Sequence, residues 1–332
     1  MTAPPPAASP AREPRVADLV LEGGGVKGIG LAGAITRLAA GGWSFKRVAG
    51  SSAGAIAAAL VAALDRAGRP LAELEQNLQS IDFPKFMAKS PLRRILGPVG
   101  DAEHLLLHMG IYDGDYLIEW LGGVLAEIGV EHFGDLRVDD PGADANLGAD
   151  QHYSLIVTTS DISRGKSVRL PWDYREYGHD PDRQRIVDAV RASMSIPFFF
   201  EPVRLRAPAV KPYAAGPVTW VDGGLLDNFP VDIFDRTDNA PSRWPTIGIK
   251  LSAKQASVPP SSPDGAIGEA VACLHTLLDN ADRTYVTPER AQRTIFVDNH
   301  GISATKFGLT TAEQQELFDS GTSAADAWLA TH

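Results

Sequence analysis

Cysteine is nearly absent from this chain: among 332 residues there is one, Cys273. A single thiol excludes an intramolecular disulfide and a cysteine cluster on a metal, and it fits a reducing compartment. Net positive charge is missing as well. The formal charge is −10, from 31 Lys and Arg against 41 Asp and Glu, so no basic face for duplex nucleic acid is expected. No stretch of about 18 uncharged apolar residues occurs, which excludes a transmembrane helix. The opening "MTAPPPAASPAREPR" lacks an apolar core of the secretory kind, so no signal peptide is expected. Its Pro and Ala content predicts a disordered leader over residues 1–16. The expected location is cytoplasmic.

Apolar residues make up 44% of the chain, ample for a buried core. A strand-turn-helix pattern occurs twice near the start. It predicts a strand at Ala17–Leu21, a helix at Gly28–Ala40, a strand at Phe45–Gly50 and a helix stopped by Gly68 and Pro70. Such repetition argues for βαβ units on a parallel sheet. Residues 71–150 read as helices and loops. Further strands are expected at Tyr153–Ile162, in "GKSVRLP" as its hairpin partner or the next strand, in "VTWVDGG", at Pro245–Leu251 and in "RTIFVD". Helices are expected near Arg185–Met194, over about 266–285, and from Thr311, where Thr310 and Glu313 suit a capping box. "AKQASVPPSSPDG" reads as a flexible loop. With no repeat and no linker after residue 16, residues 17–330 read as one domain.

The stretch "VLEGGGVKGIG", Val20 to Gly30, holds Gly23, Gly25 and Gly28 in a G-x-G-x-x-G spacing. A loop of bare N–H groups at a helix start holds concentrated negative charge, phosphate or otherwise. A dinucleotide site also needs an Asp or Glu about 20 residues further on. No acidic residue lies between Glu22 and Asp65. A P-loop needs Gly-Lys-Ser/Thr, but here Lys27 precedes Gly28 and Ile29 follows it. Both phosphate readings fail on named residues. The third reading is an oxyanion hole, whose donors face a carbonyl under attack. Lys27 then reads as a flanking cation or a structural tie.

Where the missing acid belongs stands "AGSSAGA", with Gly50, Ser51, Ser52, Ala53 and Gly54 in G-x-S-x-G spacing. This is the nucleophile-elbow pattern, a sharp strand-to-helix turn that exposes the serine hydroxyl. Read alone, it also fits a helix N-cap by Ser51 or Ser52. In a parallel sheet the ends of the first two strands share an edge, so the glycine loop aims its amides beside Ser52. Among the histidines that follow, His104, His108, His132, His152, His179, His275 and His332 lack a strand-end setting, and His300 in "DNHG" comes nearest to one. Only two strands fit before Ser52, which makes an α/β-hydrolase triad the lesser reading. Asp222 offers another base. It ends a strand, and Gly223 and Gly224 leave room around it. Its aqueous pKa of about 3.9 needs raising by desolvation for that role. Read alone, Asp-Gly-Gly also fits a plain β-turn.

Taken in order, "GGGVKG", "GSSAG" and "VDGG" resemble the motifs of the patatin-like phospholipases. "VRASMSIPFFFEPV", "GLLDNFPV" and "IVTTSDISRGKSVRL" resemble that family's segments around the aspartate and its middle hairpin. The resemblance covers about residues 17 to 330. It implies a patatin-like α/β fold of the FabD/lysophospholipase type, a three-layer sandwich around a mainly parallel central sheet. It implies Ser52 as nucleophile and Asp222 as general base, with no histidine, metal or cofactor. Gly23, Gly24, Gly25, Val26, Lys27 and Gly28 match the oxyanion loop, with Lys27 in its basic position. The implied substrate is a phospholipid, a lysophospholipid or another lipid ester, cleaved through an acyl-enzyme. An esterase or acyltransferase on neutral lipids, or a lipase gated by a signalling ligand, remains open, as does the oligomeric state.

Three aromatic stretches suggest substrate contacts. "FPKFMAKSPLRRILG" (Phe83 to Gly97) interleaves bases with apolar residues. It makes Phe86, Lys89, Arg93 and Arg94 candidates for a lid or for peripheral contact with an anionic membrane. The alternative is a partly buried loop with a solvated basic side. "IPFFFEP" suits either an acyl pocket or a core strand. Trp172, Tyr174 and Tyr177 suit either a substrate mouth or an ordinary surface loop.

Overall fold

The first strand, β1 (Arg15–Leu21), begins two residues before the expected boundary. Arg15 and Val16 pair with Trp43 and Ser44 of β2 (Trp43–Ser51), so they belong to the sheet and not to the leader. The computed structural model describes residues 15–87, 110–112, 114–139, 148–238, 240–251, 287–304 and 306–332. The rest of the leader, Lys89, Arg93, Arg94, His104, His108, the loop expected at 253–265, Cys273, His275 and the helix expected at 266–285 lie outside these residues.

Each of the first two strands feeds a helix, as expected. A 3-10 turn at Gly25–Gly28 leads from β1 into α1 (Ile29–Ala40), and β2 leads through Ser52 into α2 (Ala53–Arg66). Helix α2 reads AGAIAAALVAALDR and is buried without a break from Ala53 to Leu64. Alanine is the best helix former, and its small side chain lets α2 lie close against β2 and its neighbours.

The remaining strands of the main sheet are β4 (Leu155–Asp161), β5 (Lys166–Leu170), β7 (Val203–Ala207), β8 (Gly216–Asp222), β9 (Thr246–Lys250) and β10 (Thr294–Phe296). Their order is β10–β9–β1–β2–β4–β8–β7, with β5 also paired to β4. Strands β10, β9, β1, β2 and β4 run parallel. Strands β5 and β8 run antiparallel to β4, and β7 runs antiparallel to β8. A second, two-stranded sheet joins β3 (Gly110–Tyr112) to β6 (Phe198–Phe200). Strand β3 falls where the sequence suggested only helices and loops. At three residues it is too short for a period-2 pattern to show.

Strand β4 is where distant parts of the chain meet. Parallel β2 pairs with its first half, ending with Ser51 opposite Thr158. Antiparallel β8 pairs with its second half, and Asp222 lies opposite Thr159. Strand β5 runs along Val157 to Asp161 on the other edge, opposite the ends of both β2 and β8. Strands β2 and β8 therefore abut head to head on one edge of β4, each by its C-terminal end.

The sheet is buried on both faces. Leu19, Leu21, Val48, Leu155 and Val157 enter the main core with α1 and α2. The intervening Val20, Ala49 and Ile156 face the other way, against Phe234 with Trp172, Phe229 and Ile233. Runs buried on both faces are the signature of a parallel sheet in an α/β protein. The last helix, α8 (Thr311–Leu329), starts with the expected reciprocal Thr310–Glu313 capping box and packs along α1. The other helices are α3 (Glu73–Gln79), α4 (Asp115–Ile128), α5 (Ile186–Ser193), α6 (Gly224–Asp227) and α7 (Pro288–Gln292).

Candidate active site

Ser52 stands between β2 and α2 with φ 51° and ψ −121°, a backbone conformation rare for a residue with a side chain. It holds the N-cap position, and its carbonyl accepts from the Ala55 N–H at 2.9 Å, but its side chain makes no capping bond. The Ser51 hydroxyl is buried without a partner. Neither serine acts as the side-chain cap that the pattern alone allowed. The turn is possible because residue 54 is glycine: a Cβ there would lie 2.7 Å from the Glu22 carbonyl oxygen and nearer still to that of Leu21.

Asp222 ends β8. Its Oδ1 accepts from the Gly224 N–H at 2.8 Å, while Oδ2 is buried without a hydrogen-bond partner. Burial pushes the carboxyl up to about 7, against the pull of the Ser52 side chain and the Gly224 N–H. Asp222 and Ser52 are each 4% exposed. The carboxyl is thus shielded from water, lies beside the Ser52 side chain, and among the described residues has no cationic partner. In place of a plain β-turn, Gly223 is the N-cap of α6 directly after the strand.

The glycine loop lies beside this pair. A Cβ on Gly23 would stand 3.1 Å from the Ser52 Cβ. Its amides are not equivalent. Gly23 N–H donates to the Asn228 carbonyl, Val26 N–H to the Ala304 carbonyl and Lys27 N–H to the Gly24 carbonyl, at 3.1, 3.1 and 3.3 Å. The N–H groups of Gly24 and Gly25 are not used in these ties. Gly25 has φ +57° and its Cα faces the Ala304 carbonyl, two conditions that only glycine meets together. At the root of the loop, buried Glu22 pairs with buried Lys250 and accepts from the Leu251 N–H.

Residues that the motifs did not name hold the site together. Thr159 Oγ1 donates to the Val221 carbonyl at 2.7 Å, and Ser160 Oγ reaches the Gly223 carbonyl at 3.4 Å. Asn228 Nδ2 donates to the Gly23 carbonyl at 3.3 Å, tying the glycine loop to the segment after Asp222. Ser193 Oγ accepts from the Ser52 N–H at 2.8 Å. The sequence carries one signal: "TTS", after an apolar run in a buried strand, needs partners for three hydroxyls.

Other candidates lie elsewhere. Phe86 is 4% exposed and packs against Tyr116, Phe200 and Phe307, so it is core and not a membrane-facing side chain. Tyr174 and Tyr177 are buried against Trp220 and do not frame a mouth. Phe200 of "IPFFFEP" is buried, as a core strand requires. His132 joins a capping box, His179 packs on Tyr174, His300 stands 3.7 Å from Glu316 and His332 stacks on Trp328. No helix among the described residues is long and apolar enough to cross a membrane.

Comparison with known proteins places the chain in a family. A family model described as patatin-like phospholipase matches residues 19–235. YqhO of Bacillus subtilis (strain 168), an uncharacterized protein, is 33% identical over 306 residues, 92% of this chain and 94% of its own. Among solved structures, VipD of Legionella pneumophila shares the fold with a TM-score of 0.51 at 17% identity, over 97% of this chain and 68% of that one. ExoU of Pseudomonas aeruginosa, in its complex with SpcU, aligns with a TM-score of 0.44 at 18% identity, over 96% of this chain and 52% of that one. The family match takes in the glycine loop, the elbow and the Asp-Gly-Gly turn together, and the chain belongs to the patatin-like phospholipases, a family of lipid acyl hydrolases.

Proposed function

We propose that the chain hydrolyses fatty-acyl esters of glycerophospholipids or lysophospholipids through a Ser52–Asp222 dyad. The observation that carries this reading is the head-to-head meeting of β2 and β8, which sets a strained serine beside a water-shielded carboxyl with a free Oδ2. A base with a pKa near 7 takes a proton far better than an ordinary aspartate does.

Ser52 Oγ bonds to the ester carbonyl carbon as its proton passes to Asp222 Oδ2. The oxyanion that forms is held by the N–H groups of Gly24 and Gly25, preorganised by the ties on either side of them. Collapse breaks the ester C–O bond, and Asp222 returns the proton to the departing alcohol. Water then gives a proton to Asp222 and adds to the acyl carbon. The second collapse releases the fatty acid and restores the Ser52 hydroxyl.

The test incubates the chain with defined diacyl phospholipids, lysophospholipids, a neutral lipid ester and a short-chain ester, alongside Ser52→Ala and Asp222→Asn. Release of fatty acid from the phospholipid or lysophospholipid, lost in both variants, is the expected result. Full activity of Ser52→Ala would end the proposal. Turnover confined to the neutral or short-chain ester would move the substrate class.

A further inference from the structure

Helix α5 ends beside the elbow, and its last residue touches both halves of the site. Ser193 is fully buried. Its Oγ accepts from the Ser52 N–H at 2.8 Å. Its carbonyl accepts from the Gly223 N–H at 3.2 Å, and the Ser195 carbonyl accepts from the Asp222 N–H at 2.9 Å. Three amides at the dyad thus end on one three-residue stretch. Two of these bonds use backbone carbonyls, which any side chain leaves in place. The third depends on the hydroxyl of Ser193.

That bond falls at the strained point. With φ at 51°, Ser52 has its amide bonded to a buried side chain and not to a neighbouring strand. A buried N–H without an acceptor is strongly disfavoured, so the elbow needs an acceptor there. We propose that Ser193 is a positioning residue: its hydroxyl oxygen holds the elbow in its strained conformation, in register with the Asp222 turn. The proposal rests on the reading of Ser52 and Asp222 as the dyad. A hydroxyl that served stability alone would leave turnover per active serine untouched. A positioning hydroxyl lowers kcat with little change in KM, because small misplacements at the reacting atoms are expensive.

The experiment compares the full chain with Ser193→Ala, Ser193→Cys and Ser193→Thr. Cysteine keeps the size but accepts hydrogen bonds poorly, and threonine keeps the acceptor, so this pair remains informative where alanine fails to fold. Active serines are counted with a fluorophosphonate probe, and kcat and KM for lysophospholipid hydrolysis are measured per labelled site. Ser193→Ala and Ser193→Cys are expected to lose roughly 10- to 100-fold in kcat with KM within about twofold, and Ser193→Thr to stay within about threefold of the parent. Parental kcat per site in Ser193→Cys overturns the proposal, and so does a threonine variant as slow as the cysteine one. A Ser52→Ala arm separates the two readings. If Ser52→Ala is active, the dyad fails. If Ser52→Ala is dead while Ser193→Cys turns over normally, the dyad stands and the positioning role fails.

Discussion

Asp18 and Asp222 stand in one sheet, 1% and 4% exposed, in opposite circumstances. Asp18 on β1 faces Arg47 on β2, whose Nε donates to Oδ1 at 2.9 Å and whose second nitrogen donates to Oδ2. The guanidinium also lies 4.6 Å from the centroid of the Phe234 ring. Burial pushes both carboxyls up, but at Asp18 a buried cation pulls back through two bonds, whereas Asp222 meets only a hydroxyl and an amide. Glu22 resembles Asp18 in having a buried cation, Lys250. The sheet therefore contains both ways of burying an acid. The paired acids join neighbouring strands; the unpaired one is the group that the proposed mechanism uses as proton acceptor. A perturbed carboxyl in a shielded cleft marks a functional site only when such a contrast excludes a structural ion pair.

Neutralising the unpaired acid itself gives the sharpest test of that contrast. Asp222→Asn keeps the shape and removes the acceptor. It is expected to lower kcat by roughly a thousandfold or more, as losses of groups acting as one unit do. The same variant is expected to be more heat-stable than the parent at pH 8, measured by thermal unfolding. A less stable Asp222→Asn would mean that this carboxylate supports the fold and that the contrast is false.

Arg47→Met applies the reverse operation at the other site. It leaves Asp18 buried with no cation, and loss of one partner of a buried pair is expected to lower stability by about 3–5 kcal/mol. The loss should shrink as the pH falls and Asp18 takes up a proton. Denaturant unfolding at pH 5 and pH 8 measures both. Hydrolysis per titrated serine should stay near the parental value, since Arg47 touches neither Ser52 nor Asp222. A variant that folds normally and is slow per site would place Asp18 in the catalytic machinery.

The pH profile joins the two behaviours of Asp222. Its folded pKa, about 7, lies above the unfolded value of about 3.9. The folded chain therefore binds this proton more tightly than the unfolded chain does. The stability so gained is complete below about pH 4 and disappears as the pH rises through 7. The capacity to accept the Ser52 proton changes in the opposite sense. We expect kcat/KM to rise about tenfold per pH unit below an apparent pKa near 7. Over the same range, the stability difference between the parent and Asp222→Asn should move in favour of the variant. A flat activity profile between pH 5 and 8 would remove Asp222 as the base.

The contrast also explains what was legible in the sequence. The glycine loop, the elbow and the Asp-Gly-Gly turn are local shapes, and each demands particular small residues at fixed spacing. Their meeting is not local. It depends on β4 accepting β2 and β8 on one edge, a register set by residues 155–161 that no single motif displays. The same holds for Ser193 and Asn228, which reach Ser52 and Gly23 across 141 and 205 positions of sequence. The aromatic loop is hard to read for a related reason. Tyr174 and Tyr177 follow polar residues in a turn-rich segment, and they are core through distant partners, Trp220 on β8 and Phe133 among them. Strand β1 starts early because Arg15 and Val16 find backbone partners, not because their side chains fit the apolar pattern.

The smallest effect tests whether burial, and not pairing as such, separates these sites. Arg37 on α1 donates to Asp326 on α8 at 2.5 Å, with side chains 34% and 52% exposed. The chemistry matches Arg47 with Asp18, but here water solvates either partner left alone. Asp326→Asn is therefore expected to change stability by about 0–1 kcal/mol, and by less at high salt. Side-by-side unfolding of Asp326→Asn and Arg47→Met in low and high salt checks this. Equal losses in the two variants would show that the interior of the sheet is no more demanding of a charge than the surface. The unpaired state of Asp222 would then carry no functional meaning.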